Sequence, residues 1–232
     1  MARVAGVEIW VADVTEIGPD VRRLLSDDER DRADSFLVPG ARALFVASRV
    51  LQRRLGARYL GVPPESVVVE RRCRLCGDEQ HGRPYLPGGP DYSVSHSATL
   101  VVLGYAEGRR VGVDVEADDR KIDVELLAGH VLSPVERESL AALDDAPARR
   151  RFLALWARKE ATVKLTGHGL LVPLPQVSVE HSTVQIGQMP DGWPDEPIGL
   201  LDLDLGAGYV GALAYTGPRP EVTTRRVDEL LR

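Results

Sequence analysis

Three segments of this 232-residue chain return in the same order about one hundred residues later. LSDDER at 25–30 returns as LSPVER at 132–137, RALFVAS at 42–48 as RRFLALW at 150–156, and VVLGYA at 101–106 as GALAYT at 211–216. The offsets are 107, 108 and 110 residues, so the copies stay in register. Such a period is far longer than a solenoid unit. It predicts a duplicated α+β unit: an N-terminal half at 1–108, a C-terminal half at 109–220 and a tail at 221–232. Almost no linker separates the halves near Glu107–Arg110, so they are expected to pack tightly.

The local pattern agrees with that division. Ser26 with Glu29, and Ser133 with Glu136, form the serine–glutamate spacing that caps a helix start, and Pro134 suits the first helical position. Helices are expected near 20–34, 41–60, 123–130, 134–143 and 149–166, each half holding one long one. Leu44, Ala47, Leu51 and Leu55 recur at helical spacing and face a core, leaving Arg42, Arg49 and Arg53 on another face. Strands are expected at 7–14, 66–71, 92–95, 100–106 and 110–116, and again at 176–180, 183–187, 199–204 and 209–215. The tail at 221–232 reads as a short helix.

Composition excludes several classes. Hydrophobic residues are 44% and charged residues 28% of the chain, ordinary for a globular protein. No apolar run approaches the roughly 20 residues that span a bilayer. MARVAGVEIWVADV at the N-terminus reads as a strand rather than a signal peptide, so a cytoplasmic protein without a membrane role is expected. A net charge of −6 argues against nucleic-acid binding. The charge is uneven: +1 over residues 1–110 and −7 over 111–232. That imbalance suits an anion held on one side and a cation on the other, and also suits chance.

Four short stretches could carry chemistry. In GVDVE at 112–116, Asp114 and Glu116 share one face of a strand, a hard oxygen pair suited to Mg2+ or a plain solvated edge. In WARKEATVK at 156–164, Glu160 and Lys164 lie one helical turn apart, which alone is most often a surface ion pair. Lysine is scarce here, Lys121, Lys159 and Lys164 being three of 29 basic residues, which sharpens interest in this stretch. GRP at 82–84 places Arg83 before a proline, and SHS at 95–97 ends a strand with Ser95 and His96. Cys73, Cys76 and His81 supply only part of a zinc site, since a structural site needs four ligands. No phosphate-binding glycine loop and no serine-hydrolase elbow occur.

Taken in order, GRP, SHS, GVDVE and WARKEATVK make the chain resemble the surfactin-type 4′-phosphopantetheinyl transferases over roughly residues 20–216. The resemblance implies a pseudo-dimer of two similar α+β halves with the active site between them. It implies transfer of the 4′-phosphopantetheine arm of coenzyme A to a serine of an acyl or peptidyl carrier protein. It further implies Mg2+ on Asp114 and Glu116, with Glu160 as third ligand or as base, and Lys164 against the pyrophosphate. By match of position, Arg42, Arg83 and His96 would hold the CoA phosphates, with Ser95 nearby. The arginine-rich composition fits polyketide or nonribosomal peptide synthesis as the setting. A duplicated chain already supplies both halves, so a monomer is expected. The competing readings are a Mg2+-dependent phosphohydrolase and a non-catalytic carrier-binding module.

Overall fold

The computed structural model describes residues 6–16, 18–73, 77, 82–119 and 122–227. Strand β1 (Val7–Asp13) leads to helix α1 (Asp27–Asp34) and the long helix α2 (Pro39–Leu60). The short strands β2 (Glu70–Arg72) and β3 (Arg83–Tyr85) pair with each other and precede β4 (Asp91–Ser97) and β5 (Leu100–Ala106). The second half opens with β6 (Val111–Ala117) and continues through α3 (Val124–Val131), α4 (Pro134–Ala141) and α5 (Asp145–Thr166). It ends with β7 (Val177–Ser178), β8 (Gln185–Ile186), β9 (Ile198–Leu203), β10 (Tyr209–Thr216) and β11 (Val222–Arg226).

The expected repeat is present in three dimensions. One sheet runs β11-β1-β5-β4 and the other β6-β10-β9. Without β11 they have the same order and the same antiparallel sense. Helices α2 and α5 are each 22 residues long. Each stops at a left-handed glycine, Gly61 or Gly167, a conformation that costs other residues more. The repeated segments 42–48 and 150–156 lie inside these helices rather than at their starts. At the start of α1, Ser26 and Glu29 exchange both capping hydrogen bonds. At α4 the Glu136 carboxylate accepts the Ser133 N–H at 2.7 Å.

Among the described residues, three apolar cores hold the molecule. One packs α2 on the first sheet through Val50, Leu51, Leu55 and Leu103. One packs α5 and its neighbours on the second sheet through Phe152, Leu155, Ala161 and Ala212. The third is shared by both sheets, with Ile9 and Val102 from one half meeting Val113 and Leu213 from the other. The halves are therefore joined by buried apolar area rather than by a linker.

They are joined a second way along β4 and β6. Alternate β4 side chains accept β6 backbone N–H groups: Asp91 from Val111 at 2.9 Å, Ser93 from Val113 at 3.0 Å, and Ser97 from Ala117 at 3.0 Å. Side chains two apart on a strand share a face, so one face of β4 does the work of a neighbouring strand.

The structure differs from the sequence expectations at several places. The expected helix at 20–34 is broken, because Ser26 caps a new start and the chain before it forms a 3-10 turn at Pro19–Leu24. The expected strand at 66–71 survives only at 70–72, since the Pro63–Pro64 pair starts another 3-10 turn. The strands at 176–180 and 183–187 shrink to two residues each. The tail is a strand and not a helix: β-branched Val222, Thr223 and Thr224 pair in parallel with β1. The last strand of the described residues thus completes the sheet of the first half. Residues 228–232, and the Cys76 and His81 of the partial zinc pattern, lie outside the described residues.

Helix α5 lies directly on β6 at Gly112. A Cβ there would sit 1.9 Å from the Ala161 carbonyl oxygen. Gly112→Ala is expected to force the helix outward and destabilise the protein by at least the ~1–3 kcal/mol typical of overpacking. For a chain of this size that lowers Tm by about 2–4 °C per kcal/mol, read by scanning calorimetry. An unchanged Tm would contradict the close approach.

Candidate active site

The contact at Gly112 decides what α5 can offer. Helical residues three and four apart share a face, so the surface that carries Ala161 down onto β6 also brings Lys164 over it. The Lys164 Nζ donates to Asp114 Oδ1 at 2.6 Å and to Ser95 Oγ at 2.8 Å. Ser95 Oγ in turn donates to the same Asp114 oxygen at 2.7 Å. Three residues from β4, β6 and α5, and so from both halves, meet at one carboxylate. Asp114 is 4% exposed. Its second oxygen, Oδ2, is buried without a hydrogen-bond partner. A buried carboxylate oxygen left in that state is costly, and a ligand that supplies positive charge removes the cost.

Glu116 lies two residues along β6 on the same face, also buried, and accepts from Ser97 Oγ at 3.3 Å. Glu160, half-buried on α5, completes the group electrostatically. Burial raises its pKa above the ordinary carboxylate value, and the charges of Asp114 and Glu116 raise it further, with Lys164 opposing them. Among the described residues, no three His, Cys, Asp or Glu side chains are gathered closely enough to hold a metal unaided. The pair Asp114 and Glu116 nevertheless fits a hard divalent cation, because one of its oxygens is buried and unpartnered and both donors are carboxylates.

The carboxylates line a cleft of about 390 Å³ whose opposite wall is basic and comes from the first half. His96 stands at this wall. Partial burial of its ring and the Lys164 charge both lower its pKa, so it is neutral at physiological pH unless an anion joins it. Arg49 on α2 and Arg71 on β2 also line the cleft. Burial, and then the Arg71 charge, lower the Arg49 pKa, although Glu29 lies 3.8 Å from its Nε. Two guanidinium groups turned into one cleft are what an anion such as phosphate binds.

The structure does not bring all the sequence candidates together. Ser95, His96, Asp114, Glu116 and Lys164 line the cleft, and Glu160 interacts electrostatically with its carboxylates. Arg42 is elsewhere: it pairs with Asp34 and lines a depression formed with Phe36 and Leu37. Arg83 is committed to Asp91, which it grips with two nitrogens, and to the Val111 carbonyl at 2.7 Å. It braces the junction of the halves and borders a separate, basic cavity with Arg72 and Arg110. Arg49 and Arg71 were not singled out as ligands from sequence. The face pattern of α2 did set Arg49 apart from the core, but nothing in the sequence showed that this face meets β4.

Lys159 beside Glu160 has a different role. It is fully buried and pairs with Glu136 at 2.8 Å. It also donates to the carbonyls of Leu174 and Val177, while Glu136 accepts the Val179 N–H at 2.6 Å. One ion pair thus ties α4, α5 and the segment before β8 together, behind the cleft.

The region around this site matches a family model described as the 4′-phosphopantetheinyl transferase superfamily, over residues 110–193. A relative from Nostoc sp., the 4′-phosphopantetheinyl transferase HetI, is 34% identical over 151 residues, covering 65% of this chain and 63% of that protein. The 4′-phosphopantetheinyl transferase Sfp of Bacillus subtilis is 28% identical over 222 residues, covering 90% of this chain and 96% of that protein. A Xenopus laevis L-aminoadipate-semialdehyde dehydrogenase-phosphopantetheinyl transferase is 27% identical, with 58% of its length covered. The chain is thus similar to 4′-phosphopantetheinyl transferases over most of its length, and matches the superfamily model in its second half. Its α+β fold of two like-ordered halves, with the cleft between them, agrees with the arrangement that the motifs implied.

The raised Glu160 pKa has a consequence for stability. A carboxyl whose folded pKa exceeds its unfolded value ionises at a cost to the fold, and that cost grows as pH rises through the unfolded value. In metal-free protein at pH 7, Glu160→Gln is therefore expected to raise Tm, by about 2–4 °C for each kcal/mol of repulsion relieved. The gain should vanish near pH 3, where the native carboxyl is already protonated. A gain that persists at pH 3, or a loss at pH 7, would contradict the like-charge cluster.

Proposed function

We propose that this chain transfers the 4′-phosphopantetheine arm of coenzyme A to a serine of an acyl or peptidyl carrier protein. The observation that carries the reading is the buried, unpartnered oxygen of Asp114, set beside Glu116 and Lys164 and opposite a basic wall. Such a site takes a pyrophosphate and a cation together: each carboxylate repels the pyrophosphate unless a cation stands between them.

In this reading CoA enters with its anionic groups against His96, Arg49 and Arg71. Asp114 and Glu116 would hold Mg2+, with Glu160 as a third ligand, as the base, or both. The ion would supply charge neutralisation on the pyrophosphate as the phosphoanhydride breaks. Glu160, whose pKa lies above the carboxylate norm, accepts the proton of the carrier serine directly or through a water. The serine oxygen bonds to the phosphorus that bears pantetheine. The bond from that phosphorus to the bridging oxygen breaks, and 3′,5′-ADP departs with the electron pair. Lys164 faces the charge that appears on the departing group. Ser95 orients both Lys164 and Asp114 through its two hydrogen bonds. Arg42 and Arg83 would reach CoA only after leaving Asp34 and Asp91, so a phosphate role for them requires rearrangement on binding.

The same reading includes a cytoplasmic, monomeric enzyme acting in polyketide or nonribosomal peptide synthesis, with no nucleic-acid partner and no membrane. Two like halves in one chain support the monomer. No helix of the described residues is long and apolar enough to cross a membrane.

Incubation of a panel of apo carrier proteins with CoA, with and without Mg2+, tests the reading by intact-protein mass spectrometry. The expected result is a gain of one phosphopantetheine on the carrier serine, dependent on Mg2+. Release of free phosphopantetheine without carrier labelling would make the chain a hydrolase. CoA binding with no turnover would make it a binding module. Lys164→Ala is expected to lose both CoA affinity and turnover, by about ten- to a hundred-fold in affinity for one charge-assisted contact. Loss of turnover with affinity intact would remove Lys164 from the phosphate site.

A further inference from the structure

The hydroxyls along β4 divide into two kinds. Ser93 makes a single contact with β6, accepting the Val113 N–H at 3.0 Å. Ser97 makes two: it accepts the Ala117 N–H at 3.0 Å and donates to Glu116 Oε2 at 3.3 Å. The same two-residue step places Ser95 between them, and its hydroxyl is turned onto Asp114 instead. The β4 seam therefore both fixes the register of β6 and holds the side chains of the two β6 carboxylates. Because β4 belongs to the first half and β6 to the second, the carboxylates are aimed from across the junction.

We propose that Ser97 is a positioning residue that holds Glu116 in its cation-binding orientation from the opposite half. The hydroxyl is well suited to that task. Its proton can go to Glu116 because its lone pair is engaged by the Ala117 N–H, which sets the direction of the O–H. Glu116 has several rotatable bonds, and a fixed donor removes part of the entropy that a bound cation would otherwise have to overcome. Sequence alone gives Ser97 no such role, because it is separated from Glu116 by nineteen positions that include the whole of β5.

The inference rests on the reading that Asp114 and Glu116 hold Mg2+, and its test keeps the two apart. Wild type, Ser97→Ala, Ser97→Thr and Ser93→Ala are each titrated with Mg2+ alone by calorimetry. The Mg2+ concentration for half-maximal carrier labelling and kcat at saturating Mg2+ are measured alongside. Ser93→Ala removes a seam acceptor without touching a carboxylate, so it reports purely structural loss. The expected result is that Ser97→Ala weakens Mg2+ binding about tenfold or more, as loss of a ligand-orienting partner does. At saturating Mg2+ its kcat should approach that of wild type. Ser97→Thr, which keeps the hydroxyl, should restore Mg2+ affinity, and Ser93→Ala should lower Tm while leaving Mg2+ affinity unchanged. Wild-type affinity in Ser97→Ala, equal weakening in Ser93→Ala, or failure of threonine to rescue would each overturn the proposal. Wild-type protein that binds Mg2+ but labels no carrier would sink the transferase reading, while the Mg2+ titrations still decide the role of Ser97. Wild-type protein that binds no Mg2+ would overturn both.

Discussion

The site depends on the approach of one helix to one strand. At Gly112 the backbone of α5 comes so near β6 that no side chain fits between them. Lys164 can reach Asp114 at 2.6 Å only because of that approach. The contact places a cation and a buried carboxylate together in a setting where the attraction is strong and the desolvation of both is expensive. Ser95 shares the cost by bonding to both partners, and it comes from the other half. Packing of the halves and assembly of the site are in that sense the same event.

A second ion pair shows how the same helix separates chemistry from support. Lys159 and Lys164 are five positions apart, about 140° around a helix. One faces away from the cleft into a closed set of partners: Glu136, two carbonyls and no solvent. Burial lowers its pKa while Glu136 holds it up. The other is partly exposed and faces the cleft. Breaking the first pair would leave a buried charge, which is strongly destabilising, whereas the second has solvent and ligand to turn to. Asp114→Ala would remove both a source of carboxylate repulsion and the ionic partner of Lys164, whose other bond is to Ser95.

The two copies contribute different groups to the cleft. Both have a three-stranded antiparallel unit and a 22-residue helix. The first strand of the first half, β1, carries Trp10 and a Glu8 bound by Tyr59, and it is covered by β11 on its outer edge. The corresponding strand of the second half, β6, has its outer edge against the serines of β4 instead. That edge is where the two copies meet, and the carboxylates and hydroxyls stand there. The first half contributes the basic wall and the hydroxyl row, and the second contributes the acids and Lys164.

Much of this was legible in the sequence because it depends on short-range rules. The repeat shows as segments that return in order, and both long helices, the shared face of Asp114 and Glu116, and the turn linking Glu160 to Lys164 follow from periods of two and 3.6 residues. The four ordered motifs carried the resemblance to the 4′-phosphopantetheinyl transferases. What the sequence could not supply was partnership across more than a few residues. It assigned Arg42 and Arg83 to the CoA phosphates without showing that Asp34 and Asp91 pair with them. It did not single out Arg49 and Arg71, which reach the cleft only when α2 and β2 fold against β4. It made the tail a helix, because the edge of β1 that draws it into a strand exists only in the folded sheet. Local periodicity determines which face a side chain takes. Which other face it meets is settled by the packing of elements far apart in the chain, and that packing turned two similar halves into one site.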